Sequence, residues 1–172
     1  MRKIRHLVAM SLDGFIAGPN GESDWIGVDP EIDFAAIWAQ FDTGLMGRKT
    51  YEVAIRRLGE KAFAGVKIIV FSRTMRPLDH PNVWVISELT SGWVRTLKTA
   101  AGKDIWLFGG SHLFRTFLDA GYIDTVEVTI IPVILGSGVP LMGPPYKPSK
   151  LKLLNSKIYR SGRLSLSYEV QY

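Results

Sequence analysis

Apolar runs rich in β-branched residues recur at residues 4–10, 45–46, 67–71, 83–86, 105–108 and 126–134, and segments of helical periodicity lie between them at 32–41, 50–58, 91–101 and 111–120. Strands that alternate with helices pair in parallel, because a parallel pair needs a long crossover and a helix is the usual crossover. The pattern therefore predicts an α/β fold with a mixed, mainly parallel central sheet flanked by helices. Ser91 is the expected N-cap of the third helix, and Gly121 the stop of the fourth. The chain end changes character. Leu164, Leu166, Tyr168 and Val170 alternate strictly with Ser165, Ser167, Glu169 and Gln171, which predicts antiparallel strands from about Leu151 onward. With 172 residues, 47% of them hydrophobic, a single domain over residues 1–172 is expected.

Several function classes drop out. The chain has no cysteine, which excludes disulfide scaffolds, thiolate metal sites and cysteine nucleophiles. His6, His80 and His112 share no ligand spacing, so no metal is expected. The 21 basic and 16 acidic side chains leave a net charge of +5, which suits an anionic ligand. The basic pairs Arg2-Lys3, Arg48-Lys49 and Arg56-Arg57 are short and scattered, whereas a nucleic-acid binder concentrates its charge in one stripe, so no nucleic-acid partner is expected. The apolar run behind the basic start is short, and Pro132, Pro140, Pro144 and Pro145 break the uncharged stretch 128–146, so neither an export signal nor a membrane span is read. A cytoplasmic protein is expected.

Three strand ends carry ligand chemistry. Gly47-Arg48-Lys49-Thr50 opens a helix directly after an apolar run, bringing free backbone N–H groups and two cations together. Phe71-Ser72-Arg73-Thr74 offers hydroxyls and a guanidinium where open α/β sheets place ligand loops. Gly109-Gly110-Ser111 stops a buried strand with two residues that let a ligand approach the backbone. Each alone also reads as an ordinary turn. Together they would lie on one edge of one parallel sheet, which points to a nucleotide. Among the acids, Asp13 follows the first strand, and Asp29 and Asp33 precede or open a helix; each is a candidate to relay a proton, while Asp13 also fits a plain turn and Asp33 an acid favoured by the helix dipole.

In this order and spacing, Met10-Ser11-Leu12-Asp13-Gly14-Phe15-Ile16-Ala17, Met46-Gly47-Arg48-Lys49-Thr50-Tyr51-Glu52, Phe71-Ser72-Arg73-Thr74, Phe108-Gly109-Gly110-Ser111 and residues 133–141 resemble the dihydrofolate reductase-like superfamily. They are most similar to the group sharing the reductase domain of bifunctional riboflavin-biosynthesis proteins. The resemblance spans nearly the whole chain. It implies NADPH as hydride donor, with Ala9, Gly47 and Thr74 in the cofactor site, Arg48, Lys49 and Thr50 on one phosphate region, and Ser72 and Arg73 near the 2′-phosphate. Gly109, Gly110, Ser111, His112 and Leu113 would then follow the pyrophosphate, with a cis peptide between the two glycines. Asp33 becomes the first and Asp13 the second candidate for proton delivery, with Asp29 as the alternative. A homodimer and a pteridine-like, ribosylaminopyrimidine-like or related heterocyclic or carbonyl substrate are implied as well. Two positions depart from the pattern: Val66 stands where folate reductases carry the arginine that pairs with the folate carboxylate, and the Asp-Asn-Pro element of riboflavin-pathway reductases is missing after Thr50. A nucleotide-binding module of the same fold without turnover is the rival reading.

Overall fold

The structure, a computed structural model, describes residues 1–59, 63–145 and 147–172. Tyr146, where the uncharged stretch ends, lies outside the described residues. Among the described residues, ten strands and four helices run β1 (Ile4–Ser11), β2 (Phe15–Ala17), α1 (Phe34–Trp38), β3 (Phe41–Gly47), α2 (Arg48–Leu58), β4 (Lys67–Phe71), β5 (Trp84–Ile86), α3 (Ser91–Thr99), β6 (Asp104–Gly109), α4 (Ser111–Asp119), β7 (Thr125–Ile131), β8 (Val139–Pro140), β9 (Lys150–Ile158) and β10 (Leu164–Gln171). Eight strands form one sheet in the order β5-β4-β3-β6-β1-β7-β10-β9. Every pair from β5 to β7 is parallel, and β10 joins β7 and β9 antiparallel. The predicted fold class is the observed one.

Alternation along the strands separates two cores. Ile4, Leu45, Ile69, Ile105 and Leu107 pack with Phe114, Phe117 and Leu118 of α4 and Val94 of α3. On the other face Met46, Ile68 and Val70 pack with Tyr51 of α2, and Trp38 of α1 and Phe108 join them. The helices lie over β4, β3, β6 and β1. β7 still buries Thr125, Val126, Val128 and Ile131, β10 is mostly half-buried, and every residue of β9 is exposed.

Local differences from expectation have local causes. The first helix spans five residues, Phe34–Trp38, rather than 32–41: the Asp33 carboxylate caps it at one end, and Phe41 is already in β3 at the other. β3 is longer than its two-residue signal because Thr43 and Gly44 are buried alongside Leu45 and Met46. Thr90, not Ser91, caps α3, its hydroxyl accepting from the Trp93 N–H at 3.2 Å. β7 stops at Ile131, since Pro132 has no N–H for the ladder. Among the described residues, no helix is long and apolar enough to cross a membrane.

Candidate cofactor and substrate site

The parallel strands deliver the sequence-predicted ligand segments to one edge of the sheet. Register places Met46 opposite Gly109 and Gly47 opposite Phe71, so the ends of β3, β4 and β6 are neighbours. α2 starts directly at Arg48 and α4 directly at Ser111. Their N-caps, Gly47 and Gly110, supply no side chain, so the first-turn amides of both helices lack a side-chain acceptor. A hydrogen bond joins the two helix starts, the Gly110 N–H donating to Thr50 Oγ1 at 2.8 Å. Arg48 and Lys49 are exposed on the rim, Arg48 pairing with Glu52 one turn on at 3.0 Å.

The remaining predicted residues divide by role. The Ser72 hydroxyl accepts from the N–H groups of Thr74 at 3.2 Å and Met75 at 3.0 Å, which shapes the loop and leaves Arg73 exposed at its tip. Gly109 has φ +92° and is joined to Gly110 by a cis peptide. Ser111 is buried, its hydroxyl donating to the Pro140 carbonyl, while His112 is exposed and Leu113 half-buried against the core. Ala9 stands apart from these, in the lining of a cavity.

His6 enters here by geometry, where sequence alone had offered only a histidine without metal spacing. It is fully buried in β1, its ring stacked on Phe114 with centroids 4.0 Å apart. A Cβ on Gly109 would lie 3.5 Å from His6 Cε1, so the imidazole packs beneath the glycine pair. Nδ1 lies 2.8 Å from the Leu107 carbonyl and therefore carries the proton. Burial pushes the imidazole down to about 4.

The cavity encloses about 350 Å³ beside α1. Its floor is the sheet, with Leu7, Ala9, Trp106, Thr129, Ser165 and Ser167, and its roof is Ile26, Ile32, Phe34 and Ile37. Arg163, Tyr159 and Lys157 stand at the β9–β10 end. An apolar roof over a hydroxyl-bearing floor suits a flat molecule with polar edges. The carboxylate in this lining is Glu127, and it is engaged by two bonds from Arg5, at 2.7 and 2.8 Å.

The acids read from sequence each have hydrogen-bond partners. Asp33 is exposed, and its carboxylate accepts from the Ala36 N–H at 2.9 Å as a helix cap. Asp13 accepts from Ser11 Oγ at 2.7 Å and from the N–H groups of Leu135 and Gly136 at 3.1 and 2.7 Å. These donors hold its carboxyl below the usual range, the Ser11 hydroxyl foremost, and they tie the β1–β2 turn to the segment after β7. Asp29 is buried against the β9–β10 turn, accepting from Ser161 Oγ at 2.5 Å.

Comparison with known proteins agrees with this architecture. The sequence model of the RibD C-terminal domain matches residues 2–164. The chain is 35% identical over 178 residues to the uncharacterized protein YyaP of Bacillus subtilis (strain 168), covering 97% of this chain and 94% of that protein. Among solved structures, a putative riboflavin biosynthesis protein from Shewanella sp. PV-4 superposes with a TM-score of 0.84 at 24% identity, over 99% of both chains. Acinetobacter baumannii RibD gives 0.75 at 20% identity, over 100% of this chain and 59% of that one. The chain belongs to the RibD C-terminal domain family.

Proposed function

We propose that this member of the RibD C-terminal domain family is a cytoplasmic NADPH-dependent reductase of a pteridine-like, ribosylaminopyrimidine-like or related small heterocyclic or carbonyl compound. One observation carries the reading: two helix starts without side-chain caps, those of α2 and α4, stand side by side and are joined by the Gly110–Thr50 bond. Adjacent first-turn amides with Arg48 and Lys49 beside them fit a diphosphate, so the residues present suit the cofactor. When bound, NADPH supplies the hydride. Gly47, Arg48, Lys49 and Thr50 would hold one phosphate, Gly109 to Leu113 would follow the pyrophosphate, and Arg73, on a loop shaped by Ser72 and Thr74, would meet the 2′-phosphate. Ala9 is at the junction with the cavity, which takes the substrate between its apolar roof and polar floor. Asp13 and Asp33 are spent on backbone amides, so the proton reaches the substrate from solvent in the cavity.

The engaged acids also favour the rival, a nucleotide-binding module without turnover. Adding NADPH with dihydropterin, ribosylaminopyrimidine and diketone compounds and following the nicotinamide absorbance separates the two. Substrate-dependent loss of absorbance supports the reductase; NADPH binding without turnover of any of them favours the module.

The homodimer belongs to the same reading. Leu151 and Leu153 pair with Val170 and Tyr168 on the α4 side of the sheet, and with Ile158 they form an uncovered apolar patch. Lys150, Lys152 and Lys157 along β9 oppose edge-to-edge pairing. A second copy presenting the same apolar face would bury both patches about a twofold axis.

A further inference from the structure

We propose that Asp29 and Arg163 form a latch that holds the roof of the cavity over its floor, and thereby act as positioning residues that set access to it. The inference rests on the cavity being the substrate site. At its α1 end the roof is anchored by Trp38, which packs edge-on against Trp106 and Phe108 at 5.1 and 5.8 Å; the stretch before it has less to hold it. Residues Asp24–Ile26 form one 3-10 turn, α1 is five residues long and buries none of them, and no strand pairs with the segment between them. Yet Ile26, Ile32 and Phe34 of this stretch line the cavity on the side facing the sheet floor.

The turn between β9 and β10 supplies the anchor. Arg163 is 8% exposed, and its Nη2 donates to the Ile26 carbonyl at 2.5 Å. Its Nη1 lies 3.5 Å from Asp29 Oδ2, and Asp29 is 3% exposed. The same carboxylate accepts from Ser161 Oγ at 2.5 Å and, through Oδ1, from the Glu31 N–H at 2.9 Å. One turn of the hairpin thus grips the roof at Ile26 and at Asp29. An outer pair repeats the grip: the Arg160 N–H donates to Glu31 Oε2 at 3.0 Å, and its guanidinium lies 3.3 Å from Oε1. Gly27, at φ +57°, lets the chain pass against Arg163, where a Cβ would come 3.5 Å from Nη2.

Removing one partner of a buried ion pair leaves the other charge without compensation. Whether the charge left behind is Asp29 on the roof or Arg163 in the β9–β10 turn, it regains water by the two parting, and the outer Glu31–Arg160 pair, 95% exposed on its arginine side, is the weaker of the two ties. The hydrogen bonds from Ser161 and Glu31, with Arg163 and Lys157 nearby, hold the Asp29 carboxyl below its usual range, so the latch is closed at neutral pH.

The absence of cysteine gives a clean test. Ser165→Cys places a single thiol in the cavity floor, and its rate of alkylation by N-ethylmaleimide, read by mass spectrometry, reports how often the roof lifts. Asp29→Asn and Arg163→Met, each in that background, are expected to raise the rate by about tenfold or more, the consequence of losing about 1.4 kcal/mol of closing free energy. Ser161→Ala, at an exposed position, is expected to give a smaller rise with an unchanged melting temperature. If Asp29→Asn or Arg163→Met fails to fold, Ser161→Ala decides. Labelling at the parental rate in every folded variant overturns the latch. The assay needs neither cofactor nor substrate, so accelerated labelling in a protein that never oxidises NADPH would sink the reductase reading and leave the latch standing.

Discussion

His6 shows how one buried side chain links stability to the site. Burial holds its pKa at about 4, below the 6.5 of an ordinary imidazole, so the neutral ring is the form the fold accepts. The unfolded chain binds the extra proton between those two values. The stabilisation is therefore complete above pH 6.5 and is lost as pH falls towards 4, amounting to about 3 kcal/mol at 1.36 kcal/mol per unit. Melting temperature measured from pH 7 to pH 4 should fall across this window, and His6→Gln should flatten the fall. A wild-type profile flat between pH 6.5 and 4 would contradict the burial argument. Asp13 and Asp29 act in a different window: their carboxyls are held low by hydrogen bonds, so what they contribute is present above the ordinary carboxylate range and is lost only as pH drops below it. Because Asp13 and Asp33 serve as a loop tie and a helix cap, Asp13→Asn and Asp33→Asn should leave the acid limb of the pH–rate profile where it is. A displaced limb in either variant would return that acid to the chemistry.

At the scale of elements, the glycine pair divides into two tests. Gly109 has φ +92°, so any side chain there strains the backbone and confounds binding with folding. Gly110 has φ −68°, and a Cβ would meet Thr50 Oγ1 at an ordinary 3.5 Å. Gly110→Val should therefore fold with a melting temperature near that of the wild type and lose about tenfold or more in NADPH affinity by fluorescence titration. Unchanged affinity would reduce the glycine pair to a turn. The parallel strands and α2, α3 and α4 were legible in the sequence because each apolar run is continuous or helically spaced and ends at Gly, Ser or Thr. The gathering of residues 47–50, 72–74 and 109–111 at one edge of the sheet was legible for the same reason, since they are contiguous with strand ends. β3 showed only its last apolar pair because Thr43 and Gly44 carry no hydrophobic signal, and β2 and β8 are two or three residues long, below any periodicity. The uses of Asp13 and Asp29 were hidden because their partners lie 122 to 132 residues away, and only the fold brings them together.

At the scale of the molecule, the bare face of β9 and β10 and the basic ligand edge make separate claims. If two copies bury the leucines of β9, the wild type should sediment at twice the chain mass, and Leu153→Glu should give a folded monomer. A wild-type monomer at micromolar concentration would remove the dimer from the account. The net charge of +5 and the exposed Arg73, which has no ion pair among the described residues, bear on the central claim that the edge holds NADPH. A hydrogen bond to a charged group contributes about 1.5–3 kcal/mol, so one contact from Arg73 to the 2′-phosphate gives roughly a 10- to 100-fold preference over NADH. That preference should shrink with added salt. The most direct measurement is a tryptophan-fluorescence titration of the wild type with NADPH and with NADH at low ionic strength. The account predicts saturable binding of both with NADPH the tighter by about that factor; equal dissociation constants, or no binding of either, would contradict it.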